Sequence, residues 1–497
     1  MIDGTEFVFD NTYARRLGGL YVPWQAAQVP KPTLVKFNHA VAEELGVDGK
    51  LLDSSIGAAI FSGNHVPNGA APIAQVYAGH QFGAYVPQLG DGRALLLGEV
   101  IDRRGLRCDI AFKGSGRTPF SRGGDGKAAL GPVLREYLIS EALHALGIPT
   151  TRALAVVTTG EAVFREREVP GAVLTRVAAS HIRVGTFQFV AAEGDDVLLR
   201  QFADYVIERH YPALKALPNP YLGLLQTVNE RQASLISQWM LVGFIHGVMN
   251  TDNMTLSGET IDYGPCAFMD HYNPATVFSS IDTYGRYAYA NQPLIAHWNL
   301  TRLAETLLPL LDDDPERAIL LANEVLSDFP KLYQRHWLQG MRQKLGLTRE
   351  EPDDMALATD FLASMEGQGV DFTQAFRHLS DVTAGTDQGA EALLRSLYTD
   401  ASALDDWLAR WRLRLSCEPL SPTQRSQAMR AVNPFYVPRN HRVEEALSAA
   451  VDHGDFVPFE KLLGVLLQPF DERFDFAAYA EPAPAAYYRH YRTFCGT

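Results

Sequence analysis

Among the 497 residues, the stretch from His246 to Gly264 holds the densest set of side chains able to do chemistry. His246, Asp252 and Asn253 are followed at a short distance by Asp262-Tyr263-Gly264. An amide oxygen and a carboxylate from neighbouring segments, joined by phosphate oxygens and water, make a hard-oxygen site for Mg²⁺ or Mn²⁺. Upstream, Lys113 stands before a glycine-rich loop over 114–126, where a lysine can reach phosphate oxygens and pair with a helix glutamate. Glu136 and Glu141 compete for that pairing. Five helical positions apart they point in different directions, and Glu136 is the better placed.

The spacing His246–Asn253, then Asp262-Tyr263-Gly264, follows the kinase-type pattern H-x-D-x-x-x-x-N with a later D-F-G. The departure matters as much as the match. The position of the catalytic Asp is Val248, which cannot accept a proton, so phosphoryl transfer to a hydroxyl lacks its usual base. Asp252 can replace it from a different direction, which implies that a different phosphorus is attacked. Gly90-Asp91-Gly92-Arg93 sits just before an apolar run and allows close backbone approach to phosphates, although such a turn alone is weak evidence. Arg117, Arg122, Asp125 and Gly126 lie in the loop after Lys113 and can close over an anion. Arg176 and Arg183 fall where the strand-rich part gives way to helices, and two guanidinium forks there suit a triphosphate.

These residues need a frame. The run 94–101, the turn 102–105 and the alternation of Cys108, Ile110 and Phe112 with Arg107, Asp109, Ala111 and Lys113 predict a hairpin. Period two puts Lys113 on the face opposite the apolar set. A helix is expected from near Pro132 to Gly147, with Leu134, Leu138 and Ala142 as its apolar stripe, and strands over 153–158 and 171–177. A helix over 33–45, one long helix over 228–249 and helices over 299–311, 315–326, 332–345 and 354–365 complete the reading. The expected class is α+β and bilobal: a nucleotide-binding lobe with an N-terminal extension over 1–180, a helical catalytic lobe over 181–330, and a helical extension with a cysteine-bearing tail over 331–497.

Composition narrows the function classes. With 44 basic and 58 acidic residues the formal charge is −14, which disfavours a nucleic-acid polymer as partner but not a nucleotide. No apolar run reaches the roughly 18 residues of a membrane span, and the N-terminal stretch lacks a basic region followed by an apolar one. A cytoplasmic monomer without membrane contact is expected. No H-E-x-x-H or close His pair supports a nucleotide-free metalloenzyme.

Together with Tyr77-Ala-Gly-His-Gln-Phe-Gly83, Lys113-Gly-Ser-Gly-Arg-Thr-Pro-Phe-Ser-Arg122 and Arg135-Glu-Tyr-Leu, these segments resemble the selenoprotein O family of pseudokinases over nearly the whole chain. The resemblance implies a kinase-like fold that binds ATP flipped relative to kinases and transfers AMP to Ser, Thr or Tyr of proteins. Carried over by position, it implies that Gly90, Gly92, Arg93, Lys113, Asp125, Gly126, Arg176, Arg183 and Asp262 hold ATP. It also makes Asn253 and Asp262 the metal ligands and Asp252 the proton acceptor. Two other readings remain open: a kinase-type phosphoryl transferase using Asp252, and a non-catalytic ATP-binding scaffold. Cys266, just after Asp262, and Cys495, near the end, are a candidate redox pair; the four cysteines are too scattered for a disulfide framework.

Overall fold

The computed structural model of the chain describes residues 7–383, 388–484, 486–489 and 491–494. The architecture is mixed α/β around one antiparallel sheet. Its strands, in chain order, are β1 (Tyr21–Pro23), β2 (Thr33–Phe37), β3 (Ile73–Gln75), β4 (Gly79–Gln81), β5 (Ala84–Val86), β6 (Ala94–Ile101), β7 (Arg107–Lys113), β8 (Ala128–Ala129), β9 (Arg152–Phe164), β10 (Glu168–Ala178), β11 (Phe244–Ile245) and β12 (Ala267–Phe268). The main sheet runs β1-β3-β6-β7-β10-β9-β2 with β8 beside β10; β4–β5 and β11–β12 form separate ribbons.

Register decides which charged groups meet. Lys113 stands opposite Leu174, and Ala111 opposite Arg176. Opposed residues of an antiparallel pair share a face, so Lys113 and Arg176 are diagonal neighbours on one side of the sheet. Ile110 and Phe112 point the other way, into the core shared with Phe37 and Phe61. The helix Leu130–Ala145 covers the Lys113 side. Its stripe Leu134, Leu138 and Ala142 packs with Val156 and Leu174 in a second core. Val443, Leu447, Phe459 and Leu463 join that core from the helices Asn440–His453 and Val457–Leu466, so the C-terminal helices return to the sheet.

Three expected helices differ, that over 299–311 by starting earlier, as Gln292–Leu311. Residues 33–37 of the expected helix 33–45 are instead strand β2, paired with β9, and Asn38 caps a shorter helix, His39–Leu45, by accepting from the Val41 amide. The long helix is Pro220–Val242, started by the Asn219 cap and Pro220, and stopped by Gly243 in a left-handed conformation (φ 73°). Residues 244–245 then pair with β12 instead of extending the helix. Among the described residues no helix is long and apolar enough to cross a membrane.

Candidate active site

A cleft of about 500 Å³ lies between the ends of β6, β7 and β10 and the segments that follow the helix Pro220–Val242. Gly90, Gly92, Arg93, Lys113, Asp125, Gly126, Arg176 and Arg183 line one part, and Val248, Asp252, Asn253 and Asp262 another. Residues as far apart in the chain as Gly90 and Asp262 thus meet around one cavity.

Its floor is a closed ring of four charges. Lys113 Nζ donates to Glu136 Oε2 at 2.6 Å and to Asp262 Oδ1 at 2.7 Å. Arg176 Nε donates to Glu136 Oε1, and its terminal nitrogen to Asp262 Oδ1 at 3.1 Å. The diagonal placement on β7 and β10 sets the two cations side by side, and the helix packed above delivers Glu136 between them. Glu141 pairs with Arg152 at 2.8 Å, on another side of the helix. Burial alone would raise the Asp262 carboxyl; Lys113, Arg176 and Arg93 outweigh it and hold it well below the usual range. Asp262 is thus ionised, with 28% of its side chain open. Its backbone is left-handed (φ 69°), a conformation costly for a non-glycine residue and typical of functional positions.

His246 anchors this strained segment. Fully buried and stacked on Trp239, its ring bonds the Ile261 carbonyl at 2.8 Å, immediately before Asp262. Val248 lines the cleft, and its carbonyl accepts from the Asn253 side-chain amide nitrogen at 3.0 Å. That bond fixes the nitrogen and leaves the Asn253 oxygen as the donor available to a cation. Among the described residues no cluster of three His, Cys, Asp or Glu is found. An amide oxygen and one ionised carboxylate fit a hard cation whose remaining ligands are phosphate oxygens and water.

Asp252 is 8% exposed, and burial raises its carboxyl to about 6. Oδ2 accepts from Gln81 Nε2 at 3.3 Å, whereas the buried Oδ1 has no hydrogen-bond partner. A carboxylate half-satisfied and raised by burial to about 6 suits proton acceptance. Arg183 lies over the Tyr77 ring at 4.3 Å and donates to the Asp252 carbonyl at 3.3 Å.

The Tyr77–Gly83 segment, quoted above without a role, forms the wall over this turn. His80 N donates to Thr251 Oγ1 at 2.7 Å, and Phe82 N to Asn250 Oδ1 at 3.0 Å. Gly79 is required there, because a Cβ would stand 2.7 Å from Asp252 Oδ1. Gln81, Tyr77 and Asn250 are site residues that motif reading left unassigned; only the unexplained density of the motif pointed to them.

The loops over 90–92 and 118–121 are fastened together. Thr118 Oγ1 donates to the Asp91 carbonyl at 2.6 Å, and Ser121 Oγ to that of Gly92. A Cβ on Gly90 would meet Phe120 at 2.6 Å, so this glycine makes room for the Phe120 ring. Asp125 shapes its loop: it accepts from Lys127 N at 2.9 Å and pairs with Arg165 at 2.8 Å. Cys266 is buried, with its thiol pushed up to about 12 by burial, and Cys495 lies outside the described residues. Thr493 donates to the Pro265 carbonyl at 2.6 Å, which brings the described tail beside Cys266.

Residues 6–467 match the family model described as protein adenylyltransferase SelO. The chain is 60% identical over 491 residues to a protein nucleotidyltransferase YdiU of Rhizobium etli, covering 99% of this chain and 97% of the relative. It is 62% identical over 492 residues to the protein of the same name from Cereibacter sphaeroides, covering 99% and 100%.

Proposed function

The chain belongs to the SelO protein adenylyltransferase family, and from that premise we propose that it transfers AMP from ATP to Ser, Thr or Tyr hydroxyls of proteins. The observation that carries this reading is the displaced base: Val248 stands where a kinase carries its Asp, while Asp252 lines the same cleft with a raised pKa and a free Oδ1. ATP binds flipped relative to kinases, with its β- and γ-phosphates among Lys113, Arg176, Arg183 and Arg93 and its α-phosphate toward Asp252. Gly90, Gly92, Asp125 and Gly126 close the loops around it. Asn253 and Asp262 would hold Mg²⁺ or Mn²⁺, whose charge, when bound, offsets that of the phosphates.

The acceptor oxygen forms a bond to the α-phosphorus as its proton passes to Asp252, and the bond from α-phosphorus to the bridging oxygen breaks, releasing pyrophosphate. The fold this implies is the bilobal kinase-like one, with the lobes over 1–180 and 181–330 and the extension over 331–497. A scaffold has no need of both Asp262 and Asn253 lining the cleft. ATP analogues decide between adenylyl and phosphoryl transfer. A non-hydrolysable β,γ bond leaves AMP transfer to protein intact, while a non-hydrolysable α,β bond stops it; phosphate transfer that survives the α,β analogue and stops with the β,γ analogue means a kinase.

A further inference from the structure

The cleft has a mouth whose chemistry differs from its floor. Phe82, 36% exposed, and Ile281, 48% exposed, both line it. Large apolar side chains open to water contribute nothing to holding phosphates, and Phe82 is kept there at φ 52°, a conformation a bulky residue adopts only when its surroundings impose it. They come from separate segments, the turn between β4 and β5 and the stretch before Asp282.

One atom ties both segments to the turn that carries Asp252. Asn250 Oδ1 accepts from the Phe82 amide at 3.0 Å and from the Tyr287 hydroxyl at 2.7 Å. The Phe82 ring rests on that of Tyr287 at 5.1 Å. Asp282, next to Ile281, takes the amides of Arg286 and Tyr287 at 2.9 and 2.8 Å, which fixes the loop. Gln81, adjacent to Phe82, holds Asp252 itself. The apolar rim and the Asp252 carboxylate are therefore tied into one hydrogen-bonded unit.

We infer that Phe82 and Ile281 dock an apolar side chain neighbouring the accepting hydroxyl residue, and so select extended, apolar-flanked Ser, Thr or Tyr segments of acceptor proteins. An acceptor hydroxyl must descend to Asp252 while its flanking residues remain at the mouth, which an extended segment allows and a packed helix or sheet does not. The docking rests on the proposed reading of the chain as a transferase to protein hydroxyls, but not on which phosphorus is attacked.

Two tyrosine peptides test this, one flanked by Leu and one by Ser, each measured by fluorescence anisotropy on the full chain with a non-hydrolysable ATP analogue and Mg²⁺, and as acceptors of α-labelled AMP. Burial of one or two apolar side chains predicts about ten-fold tighter binding of the Leu peptide. Phe82→Asn, whose new residue tolerates the left-handed backbone, and Ile281→Ser should each bring that ratio below about three while affinity for the analogue is kept. A ratio near one in the parent, a ratio that survives both substitutions, no measurable binding of either peptide, or a matching loss of nucleotide affinity overturns the inference. Preferential binding without α-label transfer sinks the adenylyl reading and leaves the rim standing.

Discussion

Lys113 and Arg176 grip the same two carboxylates: each bonds Glu136 through its own oxygen, and both meet on Oδ1 of Asp262. Removing one member of such a buried ring leaves an uncompensated charge. Glu136→Ala is expected to lower stability to urea by about 3–5 kcal/mol and to weaken ATP binding, whereas Lys113→Ala with Glu136→Ala together should cost less than the sum of the two single changes. Denaturation midpoints and nucleotide titration check both points.

The raised pKa of Asp252 sets a pH dependence. The base must be ionised to act, so kcat/KM for AMP transfer should rise with pH up to about 6 and level off above it. In Asp252→Asn the step is absent and the residual rate falls by about 10²–10⁴-fold, with ATP affinity retained. A profile that stays flat down to about pH 5 would remove Asp252 from the role.

Gly79 gives a steric test of the same carboxylate. Because a Cβ at that position stands 2.7 Å from Asp252 Oδ1, Gly79→Ala must displace the side chain. A displacement on the order of 1 Å lowers turnover by about 10²-fold. The measurement is kcat alongside nucleotide affinity, which should hardly move.

Much of this was legible in the chain itself. Alternation along 107–113 set the face of Lys113, and helical period chose Glu136 over Glu141, because both are local properties of a strand and a helix. The strand over 33–37 was not legible, since it exists through pairing with β9, more than a hundred residues away, while its own apolar spacing also satisfies a helix. Gly243 ended the long helix where apolar content alone extended it. Gln81 escaped assignment for a similar reason: its partner Asp252 lies 171 positions away, and a glutamine carries no chemistry until that neighbour is known.

The tail offers a separate prediction. Cys266 is a free thiol here; we propose that an external thiol oxidant, by taking two electrons and two protons, joins it to Cys495 in a reversible disulfide, a reading supported by the Thr493–Pro265 contact one residue from Cys266. Burial keeps the Cys266 thiol near 12, so in the reduced protein it should react slowly with alkylating reagents. Oxidised protein should run with a changed mobility on non-reducing gels, and Cys495→Ser should abolish that change. Identical mobility of oxidised and reduced samples removes the pair.

The most direct measurement is label transfer to protein in parallel reactions with ATP labelled at the α- or the γ-phosphorus, with divalent metal present and Asp262→Ala as control. The account predicts label from the α position only, lost in the variant, because Asp252 serves a nucleophile directed at the α-phosphorus. Label from the γ position only would contradict it, and would mean that the cleft transfers phosphate despite Val248.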